Sequence, residues 1–181
     1  MRRTISLAVL LLLDIPVAAQ ARFEIGALLT GLNLNSIQGE YPAGIGGRFG
    51  YNFTDFLTVE TEVNYFPQNP AGNFGETQAL WGIKAGHRFG RLGLFGKARP
   101  GLVHFGGDFY RTYNYANPTK FAFDLGFVLE GYFGSHGIFR FDVSDVVIPF
   151  GNTPVYSGTL QPRYPGISHN PQFSVGIGIR F

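Results

Sequence analysis

From residue 22 to residue 181, apolar and polar side chains alternate with a period of two, in eight stretches separated by turn-forming residues. That period puts successive side chains on opposite faces of an extended chain, so each stretch reads as a β-strand with one apolar and one polar face. In 171–181, Phe173, Val175, Ile177, Ile179 and Phe181 alternate with Gln172, Ser174, Gly176, Gly178 and Arg180. In 56–66, Leu57, Val59, Thr61, Val63 and Tyr65 alternate with Thr58, Glu60, Glu62 and Asn64. The other stretches are 22–34, 42–52, 77–89, 92–105, 119–133 and 138–149.

The charges decide which kind of sheet this is. Once each strand's apolar face is fixed, thirteen charged residues fall on the other one: Glu24, Arg48, Glu60, Glu62, Lys84, Arg88, Lys97, Arg99, Asp124, Glu130, Arg140, Asp142 and Arg180. Asp145 is the exception within the strands, and Arg22 sits at the very start of one. A β-sandwich or a lipocalin-type barrel also alternates, with its apolar face inward. Here all eight strands carry the pattern at similar length, and aromatic residues gather at both strand ends, which fits an apolar face turned outward to lipid. A strand of ten residues rises ~33 Å, and a tilt of ~40° brings its span to the ~25 Å of an outer-membrane apolar band. Tyr51, Phe53, Phe56, Phe89, Phe133, Phe139 and Phe181 are expected to form one aromatic girdle, and Tyr65, Phe66, Trp81, Phe121 and Phe173 the other.

The connections alternate in length. Asn52–Asp55, Gly90–Arg91 and Gly134–Gly137 are short, whereas roughly 35–41, 67–76, 106–118 and 150–170 are long and rich in Asn, Pro, Gly and Tyr. Short and long loops in alternation describe an all-β, transmembrane, up-and-down antiparallel barrel of eight strands, with one rim in the periplasm and one outside.

Residues 1–21 stand apart. Arg2 and Arg3 precede an apolar run from Ile5 to Leu13, and Ala19-Gln20-Ala21 supplies small residues at the spacing of a cleavage site. This is the pattern of a secretory signal peptide, cut after Ala19 or Ala21, with Ala21 preferred, which leaves 22–181 as the barrel. The nine-residue run is far below the ~20 apolar residues that span a bilayer as a helix, so any crossing is made by strands. The chain has no Cys, which excludes disulfide frameworks, thiolate metal sites and cysteine nucleophiles. No run of Lys or Arg offers a surface for nucleic acid, and the formal net charge is only +2.

With these features, the chain resembles the small outer-membrane barrels of the outer-membrane protein A transmembrane-domain and outer-membrane protein X type. The residues that carry the resemblance most specifically are the last eleven, PQFSVGIGIRF. The likeness implies that Phe181, with Ile179, Ile177, Val175 and Phe173 behind it, is read by the outer-membrane barrel assembly machinery. It implies an export-dependent place in the bacterial outer membrane, among lipid and lipopolysaccharide, as a monomer, and a chain without a periplasmic domain.

An eight-stranded barrel is only just wide enough for side chains to fill it. The seven basic and six acidic residues of the polar face nearly cancel, and they are expected to pair into a plug rather than line a pore. Glu60 or Glu62 with Lys84 or Arg88 on the next strand are the expected pairings. The four His give no metal or catalytic pattern: His87 and His104 read as outward, His136 as a turn residue and His169 as part of the last long loop. Lipid A deacylases of this architecture use a His and a Ser two residues apart, and no His here has Ser at that place. Gly44–Gly50 is a run of small lumen residues rather than a dinucleotide loop, and Pro100 suggests a bulge. Phe109, Tyr110, Tyr113, Tyr115, Tyr156 and Tyr164 place amphipathic aromatic area in the long loops, suited to a binding surface or to contact with lipopolysaccharide. The expected function is therefore non-enzymatic: an integral outer-membrane barrel with an envelope role, presenting loops for adhesion or ligand contact. No catalytic, cofactor or metal site is assigned. The alternatives are a lipid-modifying enzyme, which would need a catalytic group at the outer rim, and a narrow channel.

Overall fold

The computed structural model describes residues 22–34, 41–67, 75–106, 118–151 and 166–181. The leader segment 1–21 and the six loop aromatics lie outside the described residues. The strands are β1 (Phe23–Leu32), β2 (Ala43–Asn52), β3 (Leu57–Phe66), β4 (Glu76–Phe89), β5 (Leu92–Phe105), β6 (Thr119–Phe133), β7 (Gly137–Gly151) and β8 (Gly166–Arg180). Each pairs antiparallel with the next, and β1 pairs with β8, so the sheet closes into a barrel of eight strands with no free edge. Phe23 and Phe181 complete the seam, each amide donating to the other's carbonyl at 2.8 and 2.9 Å.

The register fixes the shape of the cylinder. The Asn52 amide bonds the Arg22 carbonyl. From there a row of partners runs through Thr58, Lys84, Lys97, Gly126, Ser144 and Gln172 and returns to β1 at Leu32, ten residues beyond Arg22. A stagger of this size over eight strands sets a tilt of about 40° and leaves an interior that side chains fill. At the short-turn end, Gly90 and Gly134 take positive φ (61° and 58°), the conformation a tight hairpin demands and L side chains resist. In the first short turn the Thr54 hydroxyl accepts the amides of Phe56 and Leu57.

The strands are not equal. β1 to β3 have ten residues, β4 and β5 fourteen, and β6 to β8 fifteen, so the wall stands taller at the long-loop end of β6–β8. β8 begins at Gly166 rather than at residue 171, because Pro171 does not stop it: Asp145 to Pro149 on β7 remain in register with Pro171 to Ile167. His169 is therefore a strand residue and not a loop residue. Pro100 produces no bulge. The β4–β5 ladder lapses between the pairs Leu80–Gly101 and Ile83–Ala98, but the register is the same on both sides. The register shift among the described strands lies instead between Pro149 and Gly151.

Outside, Leu29, Ile45, Val63, Ile83, Leu125, Phe127 and Ile177 belong to a broad belt of exposed apolar side chains, with Phe127 at 70 % exposure. Phe53, Phe56, Phe89, Phe133 and Phe181 ring the short-turn end, and Tyr65, Trp81, Phe121 and Phe173 face out toward the other. Phe66 does not join them. The parity that points Tyr65 outward points Phe66 inward, where it is wholly buried. It packs in a cluster with Leu32, Leu34, Val103, Phe105, Ala122, Val146, Ile148 and Phe150. The long-loop third of the interior thus holds an apolar cluster, with Glu76, Ser168 and Asn170 buried beside it, while the ion-paired charges lie below.

Candidate functional site

The charged tier is one connected network. At the short-turn end Glu24 accepts from Arg48 at 2.9 Å, Asn52 and Arg88 at 3.1 Å, and Lys84 at 3.2 Å. Lys84 also reaches Glu130 at 2.5 Å, and the Tyr132 hydroxyl donates to the other oxygen of Glu130 at 2.7 Å. Arg140 joins this group to the middle tier: it stands 3.6 Å from Glu130 and donates twice to Glu60, at 2.9 and 3.0 Å. Arg99 donates to Glu60 at 3.0 Å, to Glu62 at 2.7 Å and to Asp124 at 2.7 Å. Lys97 lies 2.9 Å from Asp124 and 2.6 Å from Asp142, and Asp142 accepts from Arg140 at 2.8 Å.

Twelve of the thirteen charges picked from the sequence meet in these ion pairs. The thirteenth, Arg180, lies instead over the Tyr132 ring, 4.4 Å from its centroid. The side chains of Glu24, Lys84, Lys97, Arg99 and Arg140 are entirely removed from solvent, whereas Arg88 keeps 15 % exposure beside the short turns. Glycine makes room for these long groups: a Cβ on Gly26 would stand 2.9 Å from the Ile177 carbonyl and 3.0 Å from Arg48 Nε.

Two details depart from the sequence reading. Glu60 and Glu62 do not pair with Lys84 and Arg88 on β4; they reach Arg99 on β5 and, for Glu60, Arg140 on β7. The lumen is so narrow that these two side chains reach partners beyond the next strand. Glu76, the opening residue of β4, also faces inward and is buried, and it lies one residue outside the stretch 77–89 drawn from the sequence.

The five residues of the terminal strand, Phe173, Val175, Ile177, Ile179 and Phe181, all point to the outer face. Among the described residues no three His, Cys, Asp or Glu side chains are grouped to hold a metal ion, and no helix is long and apolar enough to cross a membrane.

No family model matches the sequence, and a comparison with curated proteins yields no match. Solved structures do match in shape. The N-terminal β-barrel domain of Pseudomonas aeruginosa OprF superposes with a TM-score of 0.53 at 13 % identity, over 87 % of this chain and 97 % of that one. Neisserial surface protein A gives 0.52 at 11 % identity, over 90 % and 98 %. The fold is that of the small eight-stranded outer-membrane barrels. At such low identity the likeness is one of backbone, and the lumen residues of this barrel have to be read from its own structure.

A carboxylate–imidazole pair on the barrel's outer face interrupts the apolar belt. His169 Nδ1 lies 2.6 Å from Asp145 Oδ2, and the Asn170 amide donates to Asp145 Oδ1 at 2.9 Å. Among the described residues, the outward positions next to the pair are Val143, Val147, Leu125, Ile167 and Pro171. The other three His make local contacts: His87 stacks edge-on to Phe89, His104 meets the Thr119 hydroxyl at 2.9 Å, and His136 meets Ser135 at 2.6 Å.

Proposed function

We propose that this protein is an integral barrel of the bacterial outer membrane, non-enzymatic and closed to ions, whose role is structural and whose long loops contact ligands or other cells. The observation that carries the reading is the ion-pair network that joins β1 to β7 across the lumen. Charges so buried are held in place by each other, since removing one member strands its partner at a cost of ~3–5 kcal/mol. A pore would need them solvated and free to exchange partners with passing ions. The apolar cluster above the network packs further side chains into the lumen at that end, and hydrophobic constrictions of this kind block conduction.

The exposed apolar belt supports placement in a bilayer, because a water-facing barrel would reverse the two faces. Export through a cleaved leader at 1–21, recognition of Phe173 to Phe181 by the barrel assembly machinery, a lipopolysaccharide environment and a monomeric state complete the proposal. The short turns lie in the periplasm and the long loops outside. Density-gradient fractionation of cells tests the location: the protein should band with outer membrane and migrate as a heat-modifiable species. Recovery of soluble, unmodifiable protein from the periplasm would refute the proposal.

A further inference from the structure

We infer that the outer face of β4–β7 holds a seat for one outer-leaflet lipid whose acyl chain carries amide or hydroxyl donors next to its headgroup. This rests on the membrane placement and orientation proposed above. A groove of ≈ 600 Å³ opens on the lipid-facing side, lined by Ile83, Ala85, Gly96, Ala98, Leu125 and Phe127, and it ends at Asp145. Its floor is low because the side chains that meet there are small: Ala85 pairs with Gly96, and Ala98 stands next to Leu125. Bulky neighbours on β6 form the wall.

The polar end of the groove is at its top. Asp145 and Leu125 lie eight residues from the short-turn ends of β7 and β6, and Ile83 and Ala98 lie six from those of β4 and β5. Eight residues at ~3.3 Å and a tilt of ~40° put Asp145 at ~20 Å, just below the outer edge of a ~25 Å apolar band. An ionisable group at that depth on a lipid face is costly and marks a functional position. His169 and the Asn170 amide secure the carboxylate there, at 2.6 and 2.9 Å. Both groups donate to it, and what the carboxylate can still take from a lipid is another donor.

That requirement selects the occupant. Where the acyl chains of an ordinary phospholipid meet its headgroup, the lipid offers ester oxygens, which are acceptors. A glycolipid built on N-acylated, hydroxyacylated amino sugars offers amide N–H and hydroxyl groups at the same depth. It complements a groove that is apolar along its length and anionic at its head.

Trp81, the one Trp of the chain, stands two residues above Ile83 on the same outward face of β4 and reports on the groove. The test is to reconstitute the purified protein in vesicles of brominated phosphatidylcholine, which quench Trp81, and to add unbrominated lipid. Lipid A, carrying amide and hydroxyl donors, should relieve quenching about tenfold beyond its share of the bilayer, the fold-change of one hydrogen bond to a charged acceptor. Phosphatidylethanolamine should relieve quenching only in proportion to its share. Asp145→Leu should abolish the excess. Gly96→Leu should abolish it too by filling the groove, and it fits without strain, since the nearest atom to an added Cβ is 3.9 Å away. Proportional relief by both lipids, or an excess that survives both substitutions, would overturn the inference. Heat-modifiable mobility and ion retention by the same vesicles separate that failure from failure of the membrane-barrel proposal.

Discussion

Arg140 on β7 donates through both terminal nitrogens to Glu60 on β3, a residue eighty positions away in the chain and on a strand not adjacent in the sheet. The contact crosses the lumen, and it joins the group around Glu24 and Glu130 to the group around Arg99 and Asp124. Replacing Arg140 by Ala leaves Glu60 and Asp142 buried with one partner fewer each. The expected loss is ~3–5 kcal/mol of unfolding free energy in lipid vesicles, read by urea titration of the heat-modifiable band. A loss of ~1 kcal/mol or less, the worth of a solvated pair, would mean that the lumen is wet.

The apolar tier gives a second expectation. Phe66 and Tyr65 are neighbours in sequence, but one is sealed inside and the other faces out. Phe66→Ala opens a cavity among Val103, Phe105 and Phe150 and should cost ~3–5 kcal/mol. Tyr65→Ala exposes backbone to lipid without leaving a hole, and the same titration should show a clearly smaller loss.

How much of this was legible in the residues follows from what imposes each feature. Lipid outside and a narrow lumen inside force strict alternation, so strand identity, strand number and the inward charges other than Glu76 at the edge of β4 could be read along the chain. Alternation of Leu57 to Tyr65 even fixes the inward direction of Phe66, although its aromatic ring suggests the girdle. The partners of the charges were not legible, because Arg140 meets Glu60 only through the ten-residue stagger and the closure of the sheet. The apolar cluster was hidden for a related reason: Val103, Phe105, Ile148 and Phe150 look like isolated lapses of a polar face until the barrel brings them together. Asp145 and His169, twenty-four residues apart, become neighbours only once Pro171 is seen to lie within a strand.

The terminal strand is expected to serve assembly beyond its structural part. Phe181→Asp should leave export intact while lowering the amount of heat-modifiable protein in the outer membrane, measured by fractionation. Refolding of the same variant into vesicles should be affected much less, because the Phe23–Phe181 backbone bonds do not depend on the ring. Equal loss in both settings would assign Phe181 a structural role only.

Orientation can be read on intact cells. Cysteines placed at Asn114 and Ser157 in the long connections should react with an impermeant maleimide, and cysteines at Thr54 and Ser135 in the short turns should not. The reverse pattern would invert the barrel in the membrane.

Ion conduction through the purified protein in a planar bilayer addresses the sealed lumen most directly. With Arg99, Arg140 and Lys84 paired and buried, and Phe66, Phe105 and Ile148 closing the outer third, the wild-type barrel should show no steady open level. A reproducible ohmic conductance in the wild type, with an ion selectivity that changes in Arg140→Ala while stability does not, would contradict a sealed barrel.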